Sequence, residues 1–380
     1  MGKWDALVKG ALLHDIGKVV YRANQGTDAH SKRGAAFIEP YFSDMGLKQS
    51  ITHCLKYHHG KELSAAQLKS DDYAYIVYEA DNIAAAVDRR DLEEGDENTS
   101  TQKFDKELPL QSIFRVFGGK TSTQPLQYYL RGIDVSDHFN YPESDKTIRA
   151  SSDKYKALYD VLVQNFQQQP IDKMSVNELL RIYEDTVSYM PSSTATDQAN
   201  DISLYMHSKI TAAVAHSMVH YFEEQGITDY KEYCYQNSKK FREMSAFRLI
   251  SGDISGIQNF IYTIPSKGAL KSLRGRSFYL EILMEQIVDE LLDALQLTRT
   301  NLIYNGGGHF YVLAPNTTKT STVIESMEKS INEWFLTVFG TKLYLALGSA
   351  TATAAELIQS QRTLFRKVSQ SVGEAKSKRY

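Results

Sequence analysis

Cysteine is nearly absent. Cys54 and Cys234 stand far apart with no partner at metal-ligand spacing, which excludes a disulfide framework and a zinc ribbon. A strong charge of one sign is missing too: a formal net charge of -3 over 380 residues removes the case for a uniformly basic chain that coats nucleic acid, so any such contact must be local. There is no unbroken apolar run of the roughly eighteen residues that a membrane-spanning helix needs. Lys3 and Asp5 interrupt the first apolar stretch before a signal-peptide core forms. The expectation is a soluble, cytoplasmic protein without membrane contact. Disorder throughout is excluded as well, because 42% hydrophobic against 23% charged residues is enough to bury cores, and the length fits two or three domains.

What is present is first of all helical periodicity. Over residues 4 to 90 apolar positions recur at three and four, as in Leu7, Val8, Ala11, Leu12, Ile16, Val19 and Val20 and again in Ile76, Val77, Ala80, Ala84 and Val87, which predicts an all-α block. The acidic stretch 91 to 98 and the Gln/Ser/Thr-rich stretch 119 to 127 have no apolar period and are expected to be mobile loops. Further helices are expected from about 152 to 188, and the amphipathic run Ile202 to Phe222 reads as a helix bridging two domains. The pattern then changes. A short strand at Phe247 to Ile250, a long helix from Leu270 to Leu295 and a hairpin around Asn305-Gly306-Gly307-Gly308-His309 precede a helix at 321 to 339, a strand at Leu343 to Leu347 and a last helix to Lys376. The fold class is therefore α+β, with a βαββαβ order that is that of a ferredoxin-like palm. The expected limits are 1–110 for the all-helical domain, 111–245 for a helical bridge and 246–380 for the palm.

Two aspartates interrupt apolar stripes. Asp15 shares a face with Ala11 and Val19, and Asp81 lies four residues after Val77 and three before Ala84. A carboxylate buried there without a partner costs several kcal/mol, so it needs a cation or a set of donors. His14 precedes Asp15, His30 opens a further helix, His58 shares a stripe with Ile51 and Leu55, and His59 follows it. An isolated histidine on such a helix is ordinarily a hydrogen-bonded core or surface residue. Two aspartates and four histidines on helical faces are harder to explain that way, because imidazole with carboxylate is what borderline divalent metals prefer, and such ligands can hold ions about 4 Å apart. Lys18, one turn past Asp15, is either a phosphate neutraliser or an ordinary exposed lysine. His53 lies off the stripe and reads as a bystander.

The run Leu12-Leu13-His14-Asp15-Ile16-Gly17-Lys18 resembles the signature of HD-family phosphohydrolases, and Ala80-Asp81 resembles that family's closing aspartate. The order His14-Asp15, His30, His58-His59, Asp81 resembles the permuted HD domain of the large polymerase-like subunit of type III CRISPR effector complexes, Csm type, in its N-terminal portion. The resemblance implies cleavage of single-stranded DNA by a transition-metal centre (Mn, Ni or Co) held by His14, Asp15, His30, His58, His59 and Asp81, with His14, Asp15 and Lys18 as catalytic residues. It also implies other effector subunits, guide RNA and target RNA as partners.

The segment Ser251-Gly252-Asp253-Ile254-Ser255-Gly256, together with Lys271-Ser272-Leu273-Arg274-Gly275-Arg276, resembles the first palm of the same subunit, as Asp201 to Lys209 resembles its bridge. In palm enzymes a carboxylate at the place of Asp253 binds a metal on nucleotide phosphates. The partner acids should sit on the hairpin turn, yet that turn reads Gly306-Gly307-Gly308-His309. The resemblance implies ATP with Mg at Asp253, Ser255, Gly306, Gly307, Gly308, His309, Lys271 and Arg274, and cyclic oligoadenylate synthesis only together with a second palm, which does not occur before Tyr380. A fragment or one piece of a split protein is expected. Met206 stands where the family commonly has an acid. Two other readings remain open: an HD-type nucleotide phosphohydrolase, and an inert scaffold of a ribonucleoprotein.

Overall fold

Helix α1 (Asp5–Leu13) buries Leu7, Val8, Ala11, Leu12 and Leu13, and its continuous apolar face is the reason it sits in the middle of the helical unit. The computed structural model describes residues 2–25, 28–88, 104–114, 126–134, 139–196, 199–263 and 269–379. The acidic stretch 91–98 lies outside the described residues, as does 119–125. Gln127, expected in that second loop, instead forms isolated bridges with Gln111 and Glu143 and is buried, because the strand-like pairing satisfies its backbone.

The chain divides into two compact units, residues 3–215 and 216–380. The first holds α1, α2 (Gly17–Arg22), α3 (His30–Ile38), α4 (Met45–Lys56), α5 (Gly60–Ala65), α6 (Tyr73–Asp88), α7 (Ser152–Gln168), α8 (Val176–Val187) and the start of α9 (Leu204–Glu224). Helix α1 packs on α4, α6 and α8, and α2 packs on α3 and α7. Leu12, Ile16, Leu55 and Val77 are fully buried, and each contributes about 1.5–3 kcal/mol through burial. Gly17 sets the closest approach: a Cβ there would lie 1.8 Å from the His30 carbonyl oxygen, so only glycine lets α2 meet the start of α3 and carry His30 toward Asp15.

The second unit begins inside α9 and continues through α10 (Ser238–Arg242), β1 (Phe247–Ser255), α11 (Ile257–Tyr262), α12 (Ala269–Leu295), β2 (Leu302–Gly306), β3 (His309–Pro315), α13 (Thr318–Phe339), β4 (Tyr344–Ala352), α14 (Ala354–Gln359) and α15 (Gln361–Ser377). The four strands form an antiparallel sheet in the order β2-β3-β1-β4. Alternation on β4 sorts its two faces: Leu345 and Leu347 join Met284, Val288, Ile324 and Phe335 from α12 and α13, whereas Tyr344 and Ala346 pack with Val372 of α15. Strand β1 is longer than its apolar run suggests, because it is central and is paired on both edges as far as Asp253 and beyond. Gly307 and Gly308 have φ of 64° and 81°; two positive φ values in a two-residue connection define the tight turn that suits the twist of a hairpin. Among the described residues no helix is long and apolar enough to cross a membrane.

Candidate metal centre

The helical path breaks where the chemistry sits. Helix α1 ends at Leu13, and the next residues close in tighter turns, with the Ile16 N–H donating to Leu13 O (2.9 Å) and the Lys18 N–H to Asp15 O (2.9 Å) before α2 begins. His14 and Asp15 thus lie in a buried turn between two helices, rather than in one continuous helix as their spacing predicts. His58 and His59 follow the end of α4, His30 opens α3, and Asp81 projects from the middle of α6.

Asp15 is at the middle of the cluster. Its Oδ1 lies 3.3 Å from His30 Nε2 and 3.6 Å from His58 Nε2; its Oδ2 lies 3.4 Å from His14 Nε2 and 3.6 Å from His207 Nε2. Two groups result, His30 with His58 and His59, and His14 with Asp15 and His207, and within each group the ligand atoms lie within 4.8 Å of one another. Asp81 Oδ1 joins the second group at 3.4 Å from His14 Nε2 and 3.1 Å from His207 Nε2. All six residues expected as metal ligands are therefore brought together. His53 is not among them; its Nδ1 pairs with Asp72 Oδ2 at 2.7 Å.

His207 was not expected. It is buried near the start of α9, and its Nδ1 is 2.8 Å from Asp88 Oδ2, a carboxylate seven residues and thus two turns after Asp81 on the same face of α6. Two sequence signals pointed there: the i, i+7 spacing of the two aspartates, and a histidine inside the apolar stretch that begins at Leu204. Met206, beside it, is partly exposed, so the acid missing at that position leaves the histidine cluster intact.

The backbone fixes which imidazole nitrogen faces the centre. His14 Nδ1 is 2.7 Å from Ala11 O and His58 Nδ1 is 2.7 Å from Leu55 O, so each donates its Nδ1–H to a carbonyl and turns Nε2 toward the centre. His14 Nε2, Asp15 Oδ1 and His58 Nε2 are buried and make no hydrogen bond among the described residues. Orphaned polar atoms of these types aimed at one place are what a divalent ion satisfies.

Charge follows the same geometry. Burial acts to lower the His14 pKa, but the Asp15 and Asp81 carboxylates outweigh it and push it up to about 10. Burial would raise Asp15; Lys18, His14 and His30 instead hold it well below the usual carboxylate range, as His14 and His207 do for Asp81. Burial and then its neighbour His59 press His58 well below the ordinary histidine value, and burial and then His30 lower His59. Both present neutral imidazoles near neutral pH. Lys18 is mostly covered and pairs with Asp15 Oδ2 at 2.5 Å, so its charge already serves the central carboxylate. The centre opens into a cleft of about 410 Å³ with His30, His59, Asp81 and His207 in its wall.

In the second unit the expected nucleotide residues divide. Gly306, Gly307 and Gly308 line a cleft of about 300 Å³ together with Ser277, Glu281 and Glu285. Asp253, Ser255, His309, Lys271 and Arg274 are not part of that lining. Asp253 Oδ1 meets Lys376 Nζ at 2.9 Å and its Oδ2 lies 3.5 Å from His309 Nδ1; hydrogen bonding by His309 first and Lys376 second lowers its pKa. Arg276, in the same segment as Lys271 and Arg274, donates to Phe260 O and Thr263 O at the end of α11.

Profiles of two domain families match the chain: the HD domain over residues 3–86 and Csm1 subunit domain B over residues 246–380. The class is thus a chain that joins an HD domain to a Csm1 domain B. The chain belongs to the Cas10/Csm1 family of subtype III-A CRISPR systems. It is 40% identical to the single-strand-specific deoxyribonuclease Cas10/Csm1 of Enterococcus italicus over 100% of this chain and 51% of that protein. It is 37% identical to the protein of the same name from Streptococcus thermophilus over 98% and 49%. A Csm1–Csm4 cassette solved in complex with cA4 superposes with a TM-score of 0.75 at 27% identity, covering 99% of this chain and 48% of that one; a cassette with one ATP gives the same three values for score, identity and coverage of this chain. The chain spans about half the length of the curated relatives it matches.

Asp88→Asn should weaken Mn²⁺ binding about 10- to 100-fold, since partners that orient a metal-bound histidine carry about that much affinity. His207→Ala should do at least as much. Calorimetric titration of the chelator-stripped chain measures both, and in buffers of different ionisation heat it should also show proton release, because His14 must lose its proton for Nε2 to bind. Affinity should accordingly rise with pH up to about 10. An unchanged Mn²⁺ affinity in both variants would remove His207 from the centre.

Proposed function

We propose that this chain carries the nuclease centre of a type III CRISPR effector large subunit and hydrolyses single-stranded DNA. The observation that carries this reading is the Asp15 carboxylate, whose two oxygens face two separate groups of imidazoles with unsatisfied, buried nitrogens. The names of its relatives, single-strand-specific deoxyribonucleases, support the substrate. His14, Asp15, His30, His58, His59, Asp81 and His207 would hold Mn, Ni or Co, and a pair of such ions supplies Lewis acidity toward a phosphodiester and an acidified water. The chain's own part is positional: Asp15 joins the two halves, Asp88 and the Ala11 and Leu55 carbonyls fix the rings, and Lys18 keeps Asp15 ionised.

The domain limits 1–110, 111–245 and 246–380 are part of this proposal, as is a ferredoxin-like palm in the last of them; the βαββαβ order and the sheet order β2-β3-β1-β4 support it. The proposed partners are other effector subunits, guide RNA and target RNA, with Mg and ATP at the palm once a second palm is opposed to it; solved Csm1–Csm4 cassettes with ATP and cA4 support that assignment. A cytoplasmic site of action is proposed with them.

The test compares substrates. Incubation with Mn²⁺ should cut labelled single-stranded DNA and leave a duplex and free nucleotides intact, whereas release of phosphate from nucleotides would favour a phosphohydrolase, and no turnover a scaffold.

Chelation separates catalysis from folding. EDTA should silence the nuclease without melting the helical unit, because Lys18 and protonated His14 balance the buried Asp15 once ions leave, and Leu12, Ile16, Leu55 and Val77 keep their burial. Helical circular dichroism before and after EDTA measures this. A large loss of signal would make the metal structural.

A further inference from the structure

The metal cleft continues beyond its ligands. A second cleft of about 510 Å³ opens beside it, and the two share Lys18, His30, Phe104, Ser192 and Ser193 as walls. The common wall is built firmly: buried Arg22 donates to Pro191 O at 2.6 Å and Ser192 O at 3.2 Å. Phe104 pairs with Ala195 in an isolated bridge, and the Asp105 N–H donates to Thr194 O at 3.0 Å. On that fixed backbone Phe104 stands 63% exposed.

Tyr21, further along the same cleft, carries two cations: Lys106 Nζ lies 3.9 Å and the Arg33 guanidinium 4.7 Å from its ring centroid. The pairing is attractive in its own right, and it holds Lys106 over the cleft. An exposed aromatic ring next to a positioned ammonium is the chemistry of single-strand recognition, where a base stacks on the ring and the adjoining phosphate meets the cation. A duplex cannot use such a ring, because neighbouring pairs already cover both faces of each base. The metal cleft itself is rich in carboxylates, Asp15, Asp81 and Asp88, so a phosphate backbone needs positive charge beside it.

We propose that this second cleft is a subsite for the DNA strand next to the scissile position, with Phe104 stacking on one base and Lys106 meeting a neighbouring phosphate. It rests on the nuclease reading and gives it a substrate path with little sequence preference.

The test is binding of a fluorescein-labelled oligo-dT to the full chain in EDTA, read by anisotropy beside an abasic oligonucleotide of equal length. Phe104→Ala should weaken oligo-dT binding about tenfold and leave the abasic strand alone, and Phe104→Tyr should bind as the native chain does. Lys106→Gln should weaken both strands alike and reduce the salt dependence by about 0.7 in log–log slope, one phosphate contact on a single strand. Equal loss on both strands for Phe104→Ala, no loss on either, or a native chain that binds neither, overturns the subsite. If the native chain cuts single strands in Mn²⁺ while Phe104→Ala binds normally, the subsite falls and the nuclease reading stands. If binding depends on Phe104 but nothing is cut, the reverse holds.

Discussion

Replacing Asp15 by alanine, alone or with His14→Ala, should abolish Mn²⁺-dependent cleavage of single-stranded DNA, a loss on the order of a thousandfold or more, about 4 kcal/mol of barrier. The size follows from position. Among the described residues Asp15 is the one carboxylate with an oxygen near each imidazole group, so its removal takes an anionic ligand from both half-sites and leaves nothing that joins them. Loss of the anion also strips Lys18 and His14 of their partner, and His14, no longer held up to about 10, can shed its proton rather than stay charged inside the unit. The fold should therefore survive, which circular dichroism would check. Asp15→Asn gives the cleaner version, since it keeps the shape and removes the charge. Cleavage that persists in the double variant, with contaminating nuclease excluded, would sink the site assignment.

The centre was legible because burial and chemistry disagree along the sequence. Asp15 and Asp81 sit at apolar positions, and only a ligand or a network justifies that; the histidines then fall at helix ends and starts, where a helical pattern breaks. His207 was not legible in the same way. It reaches the cluster by tertiary packing of α9, and its local signals, a histidine in an apolar stretch and Asp88 two turns after Asp81, do not by themselves separate a ligand from a histidine held by a carboxylate elsewhere, as His53 is by Asp72. In the second unit the two glycines of the turn announced the hairpin, since few other residues take positive φ twice in succession. The pairing of Asp253 with Lys376 was hidden, because a strand residue and a lysine near the end of α15 meet only once the helix lies on the sheet. Sheet order carried no local signal at all: it is decided by which apolar faces α12, α13 and α15 can cover.

That hidden pair bears on the second large effect, that this chain alone makes no cyclic oligoadenylate from ATP and binds ATP weakly. Phosphoryl transfer needs Mg²⁺ held against the triphosphate by oxygen ligands in near-octahedral order. The carboxylates near the hairpin are largely committed: Asp253 to Lys376 and His309, and Glu285 to Arg299 at 2.8 Å and Asn305 at 2.7 Å. Glu281 remains on the rim of the glycine cleft, and one exposed carboxylate is a poor substitute for a paired acidic site. The turn itself offers Gly307, Gly308 and His309, and none supplies a carboxylate. What this unit does offer is a cleft with a glycine wall where backbone can come close to a nucleotide, which suits an acceptor surface facing a second, acid-bearing palm. Incubation with ATP and Mg²⁺, with and without a separate fragment carrying such an acidic turn, should give product by chromatography only in the second case. Asp253→Ala should then lower the yield more than it weakens assembly of the two pieces, because that carboxylate orders Lys376 and His309 beside the turn. Oligoadenylate formed by this chain unaided would show that Glu281 and Asp253 suffice to hold the metal and that the site is complete.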